Sequence, residues 1–194
     1  MDVKIDSDRA WIIPYKIKES LGGFEIDLLA KKSLEEYENI FKEKRLHIYN
    51  NAKATVFYRA VHRIIEEYDG DASKIWANNP PSALVVFHFA AFHGCGQKIS
   101  TMAANLLVRN FHIPFSDYKQ IDVSADVHVV RVMHRLGLIT REDKEEGIQK
   151  AREITPEFPG IIDYPLWKTG KYTCHATNPD CDNCSFKDYC PSRQ

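Results

Sequence analysis

Apolar residues along this chain recur at intervals of three and four, the spacing of a helix face, and alternation with a period of two is nowhere sustained. The pattern predicts an all-α protein without a sheet. Ala10 to Leu21 is a short apolar-rich segment with Pro14 near its start, closed by Gly22-Gly23. Ser33-Leu34-Glu35-Glu36 is a capping box, serine with glutamate three residues on, and predicts a helix through about Lys44. From Asn51 a helix carries Val56, Phe57, Ala60, Val61, Ile64 and Ile65 on one face and ends at Asp69-Gly70. Asn78-Asn79-Pro80-Pro81 reads as a loop, and Ser82 as the cap of the next apolar helix. Ile99, Met102, Ala103, Leu106 and Leu107 predict a further helix through Arg109 with these residues inward. Phe111 to Ala125, with Pro114, reads as an irregular connection. Val127 to Gly137 is helical, with Val129, Val130, Val132, Met133 and Leu136 inward, and Thr140 caps a charged helix from Arg141 to Ile154. Pro165 to Thr173 leads into a group of cysteines, and Trp11, Trp76 and Trp167 read as core aromatics.

A length of 194 residues fits one domain or two small lobes sharing a core. The 26 basic and 27 acidic residues nearly cancel, so no global field announces a nucleic-acid partner, and local patches must do so. Lys42, Lys44, Arg45, Lys53, Arg59 and Arg63 stand against a single acid, Glu43; this is a patch able to follow a phosphate backbone or simply a solvated helix face. Met1 to Arg9 shows no signal pattern, and the longest apolar run, Ala83 to Phe92, is far too short to span a bilayer. These features predict a soluble, cytoplasmic protein, nucleoid-associated if the source is prokaryotic, with no membrane partner.

The stretch Phe92-His93-Gly94-Cys95-Gly96-Gln97-Lys98 holds the first candidate chemistry. Gly94 and Gly96 bracket a tight turn where missing side chains permit positive φ and close approach of another backbone. A glycine turn that opens a helix presents backbone N–H groups suited to a phosphate, although such a turn is most often only a turn. Lys98 lies in the first helical turn, where the dipole's positive end disfavours an ammonium. Asp126 stands at the mouth of a second helix, as a reactive carboxylate or as its N-cap. Cys95 reads as a buried inert thiol, His93 as a hydrogen-bonding or packing residue of the hairpin, and His128 as support for the backbone behind Asp126.

Cys174, Cys181, Cys184 and Cys190 form the pattern C-x6-C-x2-C-x5-C. Four thiols this close in an intracellular chain point to a metal rather than to disulfides. A single Cys-x-x-Cys pair flanked by lone cysteines favours an iron–sulfur cluster over zinc, which commonly uses two such pairs.

The hairpin, the segment Asp126-Val127-His128-Val129-Val130-Arg131 and the cysteine spacing, in this order, resemble the endonuclease III family of DNA glycosylases, within the helix-hairpin-helix superfamily. The likeness covers roughly Ile48 to Cys190 and includes Tyr49-Asn50-Asn51-Ala52-Lys53 and Gly170-Lys171-Tyr172-Thr173-Cys174. It departs from the family where Phe92-His93-Gly94-Cys95-Gly96 replaces the usual Leu-Pro-Gly-Val-Gly, and where the Phe111 to Ala125 connection lengthens the separation of Lys98 from Asp126. The loop from His175 to Asp180 also lacks the basic residues that often touch DNA there, and the polar stretch ahead of Ala10 is shorter than the family's additional first helix with its base-gap-filling turn.

The resemblance implies a two-lobed all-α fold: residues 45–135 would form the hairpin-containing lobe, and 1–44 with 136–194 the lobe bearing the cluster loop at 174–190. It implies a [4Fe–4S] cluster on Cys174, Cys181, Cys184 and Cys190, with Tyr172 packing beside it. It places Lys98 at the Schiff-base lysine of bifunctional glycosylase/AP lyases and Asp126 at the catalytic aspartate. Gly94, Gly96 and Gln97 fall on the DNA-contacting hairpin. The partner so implied is double-stranded DNA containing damaged bases or abasic sites, met by a monomer in base-excision repair of oxidised pyrimidines. The alternatives are a monofunctional mismatch or base-specific glycosylase and a non-catalytic nucleic-acid-binding protein that retains the fold.

Overall fold

The computed structural model describes residues 5–193, so the part of the N-terminal reading that rests on Met1 to Lys4 lies outside the described residues. Among the described residues there are nine α-helices and no strand. No helix among them is long and apolar enough to cross a membrane. Contacts group the chain into two compact units, Met1–Ile75 with Phe92–Gly94, and Trp76–Ala91 with Cys95–Gln194.

The first unit holds α1 (Ser7–Leu21), α2 (Ile26–Ala30), α3 (Leu34–Glu43) and α4 (Asn50–Tyr68). Helix α1 starts earlier than the apolar pattern predicts because the Asp6 carboxylate accepts from the Asp8 amide at 2.8 Å and caps it. Pro14 therefore sits inside the helix rather than near its start. The capping box of α3 is present in both directions: Glu36 N–H donates to Ser33 Oγ and Ser33 N–H to Glu36 Oε2. The core gathers Ile13, Ile17, Leu29, Tyr37, Phe41, Leu46, Ala54 and Val61. Burial pushes the Tyr37 phenol up to about 12, and its hydroxyl donates to Leu29 O at 2.7 Å. Trp11 is 53% exposed and is not a core aromatic, because α1 turns Ile13 and Ile17 inward instead. Along α4 the most buried positions are Ala54, Val61 and Tyr68, seven residues apart, with Phe57 and Ile65 packed against the core from the side.

The second unit holds α5 (Ser82–Ala90), α6 (Gln97–Phe111), α7 (Val127–Arg135), α8 (Lys144–Ile154) and α9 (Asp163–Tyr172). The inward face of α6 differs from the apolar expectation. Ser100, Thr101, Ala104, Asn105 and Leu107 are buried, while Met102, Ala103 and Leu106 are only half-buried. Each of the polar side chains has its donor satisfied, while Asn105 Oδ1 is buried without a partner among the described residues. The Ser100 and Thr101 hydroxyls donate to Gly96 O and Gln97 O, and Asn105 Nδ2 donates to Gly160 O at 2.7 Å. Helix α7 buries Val129, Val130, Val132 and Met133 as the pattern predicts.

Ser82 is the first residue of α5 and does not cap it. Its hydroxyl donates to Asp117 Oδ1 at 2.6 Å and accepts from the Gln120 amide, so it tethers the connection after α6. Thr140 likewise is not a cap: its amide and hydroxyl both donate to Glu146 Oε1, and Asp143 caps α8, which begins three residues later than predicted.

The irregular connection between α6 and α7 is well buried. Phe115, Ile121, Val123 and Ala125 join the core, and Asp122 accepts two 2.8 Å bonds from the Arg152 guanidinium of α8. Between α7 and α9 the backbones come very close. A Cβ at Gly170 would lie 2.7 Å from both His128 O and His128 Cβ, so only glycine fits there.

Candidate functional site

Lys98 enters from the first turn of α6 and Asp126 from the residue preceding α7. Lys98 Nζ lies 3.9 Å from Asp126 Oδ2, with side-chain exposures of 40% and 14%. Asp126 Oδ1 accepts from the His128 and Val129 amides at 2.9 and 3.0 Å. The carboxylate thus acts as the N-cap the sequence allowed with one oxygen, and its other oxygen faces the lysine. At 3.9 Å the pair is longer than a hydrogen bond and lies just inside ion-pair range. An amine beside a fixed carboxylate can serve as a nucleophile whose proton has somewhere to go.

The backbone before Asp126 is held from behind. Ala125 adopts φ +41°, a left-handed conformation that costs an alanine about 1–2 kcal/mol. Ser124, one residue earlier, gives its amide to Asp163 Oδ1 and its hydroxyl to Asp163 Oδ2, each at 2.9 Å. Asp163 opens α9 and is 8% exposed. Burial is the main cause that pushes its carboxyl above the usual range; the nearby Asp126 charge adds to this, while the Ser124 bonds and Arg109 oppose it. No pattern in the sequence singles out Ser124 or Asp163, since a serine and an aspartate separated by 39 residues meet only in three dimensions.

The two hairpin glycines differ. Gly94 has φ +78°, and a Cβ there would stand 3.0 Å from Val56 Cγ2 of α4, so the chain's own packing requires glycine. Gly96 has φ −90° and ψ −178°, an extended conformation open to any residue, and a Cβ would meet nothing within 4 Å. The expectation of positive φ is therefore corrected at Gly96. It precedes α6 with no side chain capping the helix start, and Gln97 beside it is exposed. Cys95 is half-buried rather than buried. His93 is exposed, and its Nδ1 lies 3.3 Å from Arg59 Nη1 of α4 instead of bonding within the hairpin. Arg63, of the predicted basic patch, pairs with Glu67 and lies over the Phe92 ring.

At the C-terminus Cys174, Cys181, Cys184 and Cys190 are all free thiols and line one cavity. Among the described residues no three His, Cys, Asp or Glu side chains are gathered tightly enough to hold one metal ion. A single zinc would need sulfurs ~3.8 Å apart in a tetrahedron, whereas a four-iron cube carries each thiolate on its own iron and spaces them more widely. The donor set, four free thiols with the cationic Arg135, Lys187 and Arg193 among the lining residues, suits a metal centre bound by thiolates.

Two arginines of α7 connect this loop to the rest of the unit. Arg135 Nη1 donates to Cys174 Sγ at 3.2 Å, and its guanidinium also serves His175 O and Ala176 O. Arg131, 8% exposed, donates to Cys174 O, Val127 O and Gly170 O, and its Nη2 lies 3.0 Å from His128 Nδ1. Arg131 could have been singled out from its place in the Asp126–Arg131 segment; Arg135 carried no signal. Tyr172 is 55% exposed, with its ring edge-on to Trp167, and is not packed into the cavity lining.

No protein-family model matches the chain. It is 25% identical over 165 residues to endonuclease III of Thermotoga maritima, a match spanning 83% of this chain and 72% of that protein. Endonuclease III of Rickettsia felis is 32% identical over 99 residues, 50% of this chain and only 41% of that protein. A structure of a trapped endonuclease III–DNA covalent intermediate superposes with a TM-score of 0.64 at 20% identity, covering 92% of this chain and 74% of that one. A thermostable thymine-DNA glycosylase gives 0.62 at 14% identity, covering 95% and 80%. The chain has the all-helical fold of these structures, and endonuclease III proteins are among its distant relatives.

Proposed function

We propose that this chain is a base-excision enzyme that removes damaged bases, oxidised pyrimidines foremost, from double-stranded DNA and then cuts the abasic site as a lyase. The observation that carries this reading is the placement of Lys98 Nζ 3.9 Å from an Asp126 oxygen that is not used in capping α7. The likeness to endonuclease III, one relative of which is seen as a covalent intermediate with DNA, supports it.

The target nucleotide leaves the stack, because its glycosidic bond is otherwise out of reach. Lys98 reacts as its neutral amine, since only a neutral amine has a lone pair to offer, and the Asp126 carboxylate orients it. Lys98 Nζ forms a bond to C1′ as the bond from C1′ to the base breaks and its electron pair leaves with the base. The ionised Asp126 stabilises positive charge on the sugar while this happens. The sugar ring then opens to an imine between Lys98 and C1′, which acidifies the C2′ proton. Loss of that proton expels the 3′ phosphate by β-elimination, and water releases Lys98 by hydrolysis of the imine.

Gly96 supports DNA contact at the hairpin: nothing in the chain requires a glycine there, so its bare backbone leaves space for a phosphate at the start of α6. Gly94 would shape that turn, and Gln97 would lie along the same strand. Cys174, Cys181, Cys184 and Cys190 would hold a [4Fe–4S] cluster, which supplies a covalent brace for the C-terminal loop.

Borohydride trapping on a duplex with one abasic site tests the reading. A covalent adduct formed by the wild type and absent in Lys98→Ala is the expected result. Wild-type protein that binds the duplex without forming an adduct would overturn the lyase and leave a monofunctional or non-catalytic protein.

A further inference from the structure

We infer that Asp163 is a positioning residue for Asp126: by holding Ser124 it keeps the Ser124–Ala125–Asp126 turn in the one conformation that aims Asp126 at Lys98. The inference rests on the function proposed above and adds a residue to its machinery. Three observations converge on it. Both Asp163 oxygens are committed to Ser124, one to the amide and one to the hydroxyl, so the contact fixes backbone and side chain together. Ala125, the residue between, is held at φ +41°, which an alanine does not adopt unless its neighbours impose it. Asp126, the next residue, is locked on its far side by the amides of α7. The turn is therefore clamped at both ends, by α9 before it and by α7 after it.

Without the α9 clamp Ala125 can relax to an ordinary conformation, and the Asp126 oxygen facing Lys98 turns away or loses its fixed direction. A displacement of about 1 Å in a reacting group can cost about a hundredfold in rate. An asparagine at 163 keeps the clamp, since its carbonyl oxygen accepts from the Ser124 amide and its NH₂ donates to the Ser124 hydroxyl oxygen. Alanine removes both contacts. Ser124→Ala removes only the hydroxyl contact and leaves the amide bond in place.

The experiment compares wild type, Asp163→Ala, Asp163→Asn and Ser124→Ala in single-turnover trapping on an abasic duplex, with duplex affinity measured alongside. Asp163→Ala is expected to trap about tenfold more slowly or worse, with affinity within about twofold of wild type. Asp163→Asn should recover most of the rate, and Ser124→Ala should fall between. Should Asp163→Ala fail to fold, the split between rate and affinity is read from Ser124→Ala. Wild-type rates in Asp163→Ala, or in Ser124→Ala when it must stand in, overturn the inference. So does an Asp163→Asn protein as slow as the alanine variant, or a rate loss matched by an equal loss of affinity. A wild type that forms no adduct refutes the proposed function instead, and the positioning role falls with it.

Discussion

Asp126 and Lys98 face each other across 3.9 Å while the second oxygen of Asp126 caps the helix that follows it. On the proposed function one carboxylate has a structural and a chemical half, and substitutions can separate them. Asparagine caps a helix about as well as aspartate but carries no charge. Asp126→Asn should melt within about 0.5 kcal/mol of wild type, yet trap an abasic site about 100-fold more slowly. Asp126→Ala should lose a further ~1 kcal/mol of stability with the cap. Thermal melts beside single-turnover trapping measure both halves.

Three glycines give three different outcomes on adding a methyl group. Gly170→Ala drives a Cβ into the backbone of His128 and should destabilise the protein by about 2 kcal/mol. Gly94→Ala meets both a positive φ and Val56, and should cost about 1–2 kcal/mol. Gly96→Ala meets nothing and should leave the melting temperature unchanged while weakening duplex binding about tenfold, if the start of α6 grips a phosphate. Unchanged affinity in Gly96→Ala would move the DNA contact elsewhere.

Asp163 gives stability a pH dependence with a definite sign. Burial raises its carboxyl above the ordinary 3.8, so the folded protein holds that proton more tightly than the unfolded chain. Its favourable contribution is full below the ordinary value and is lost as pH rises through the raised one. Asp163→Asn has no charge to bury, so its stability advantage over wild type should grow across that window, level off above it, and vanish in acid. Denaturant melts of both proteins from pH 3 to neutrality read the difference; an advantage that grows toward low pH contradicts the assignment.

The cysteine cavity makes a prediction that needs no substrate. Protein isolated without air should be brown and hold about four irons and four sulfides per chain. Cys184→Ala should lower that content and loosen the loop from Cys174 to Cys190, seen as faster amide exchange there. Stoichiometric zinc in place of iron would sink the cluster assignment.

Much of the helical framework was legible in the sequence, because an apolar period of three to four and a local capping box are properties of neighbouring residues. The α3 capping box, the buried valines of α7, and Lys98 and Asp126 each at the head of a helix all came from short stretches read alone. What the sequence left undecided depends on residues far apart in the chain. Polar Ser100, Thr101 and Asn105 face inward on α6, where their donors are met by helix carbonyls and by Gly160, which no apolar pattern encodes. Ser82 and Thr140 look like caps by their local context but bind Asp117 and Glu146 instead. The connection from His112 to Asp126 is an irregular loop by composition, yet it is pinned by Ser82, Arg152 and Asp163 from three different helices. The residue types of the site were written locally; the distance between Lys98 and Asp126, and the clamp behind it, exist only because tertiary packing closes contacts that no stretch of sequence contains.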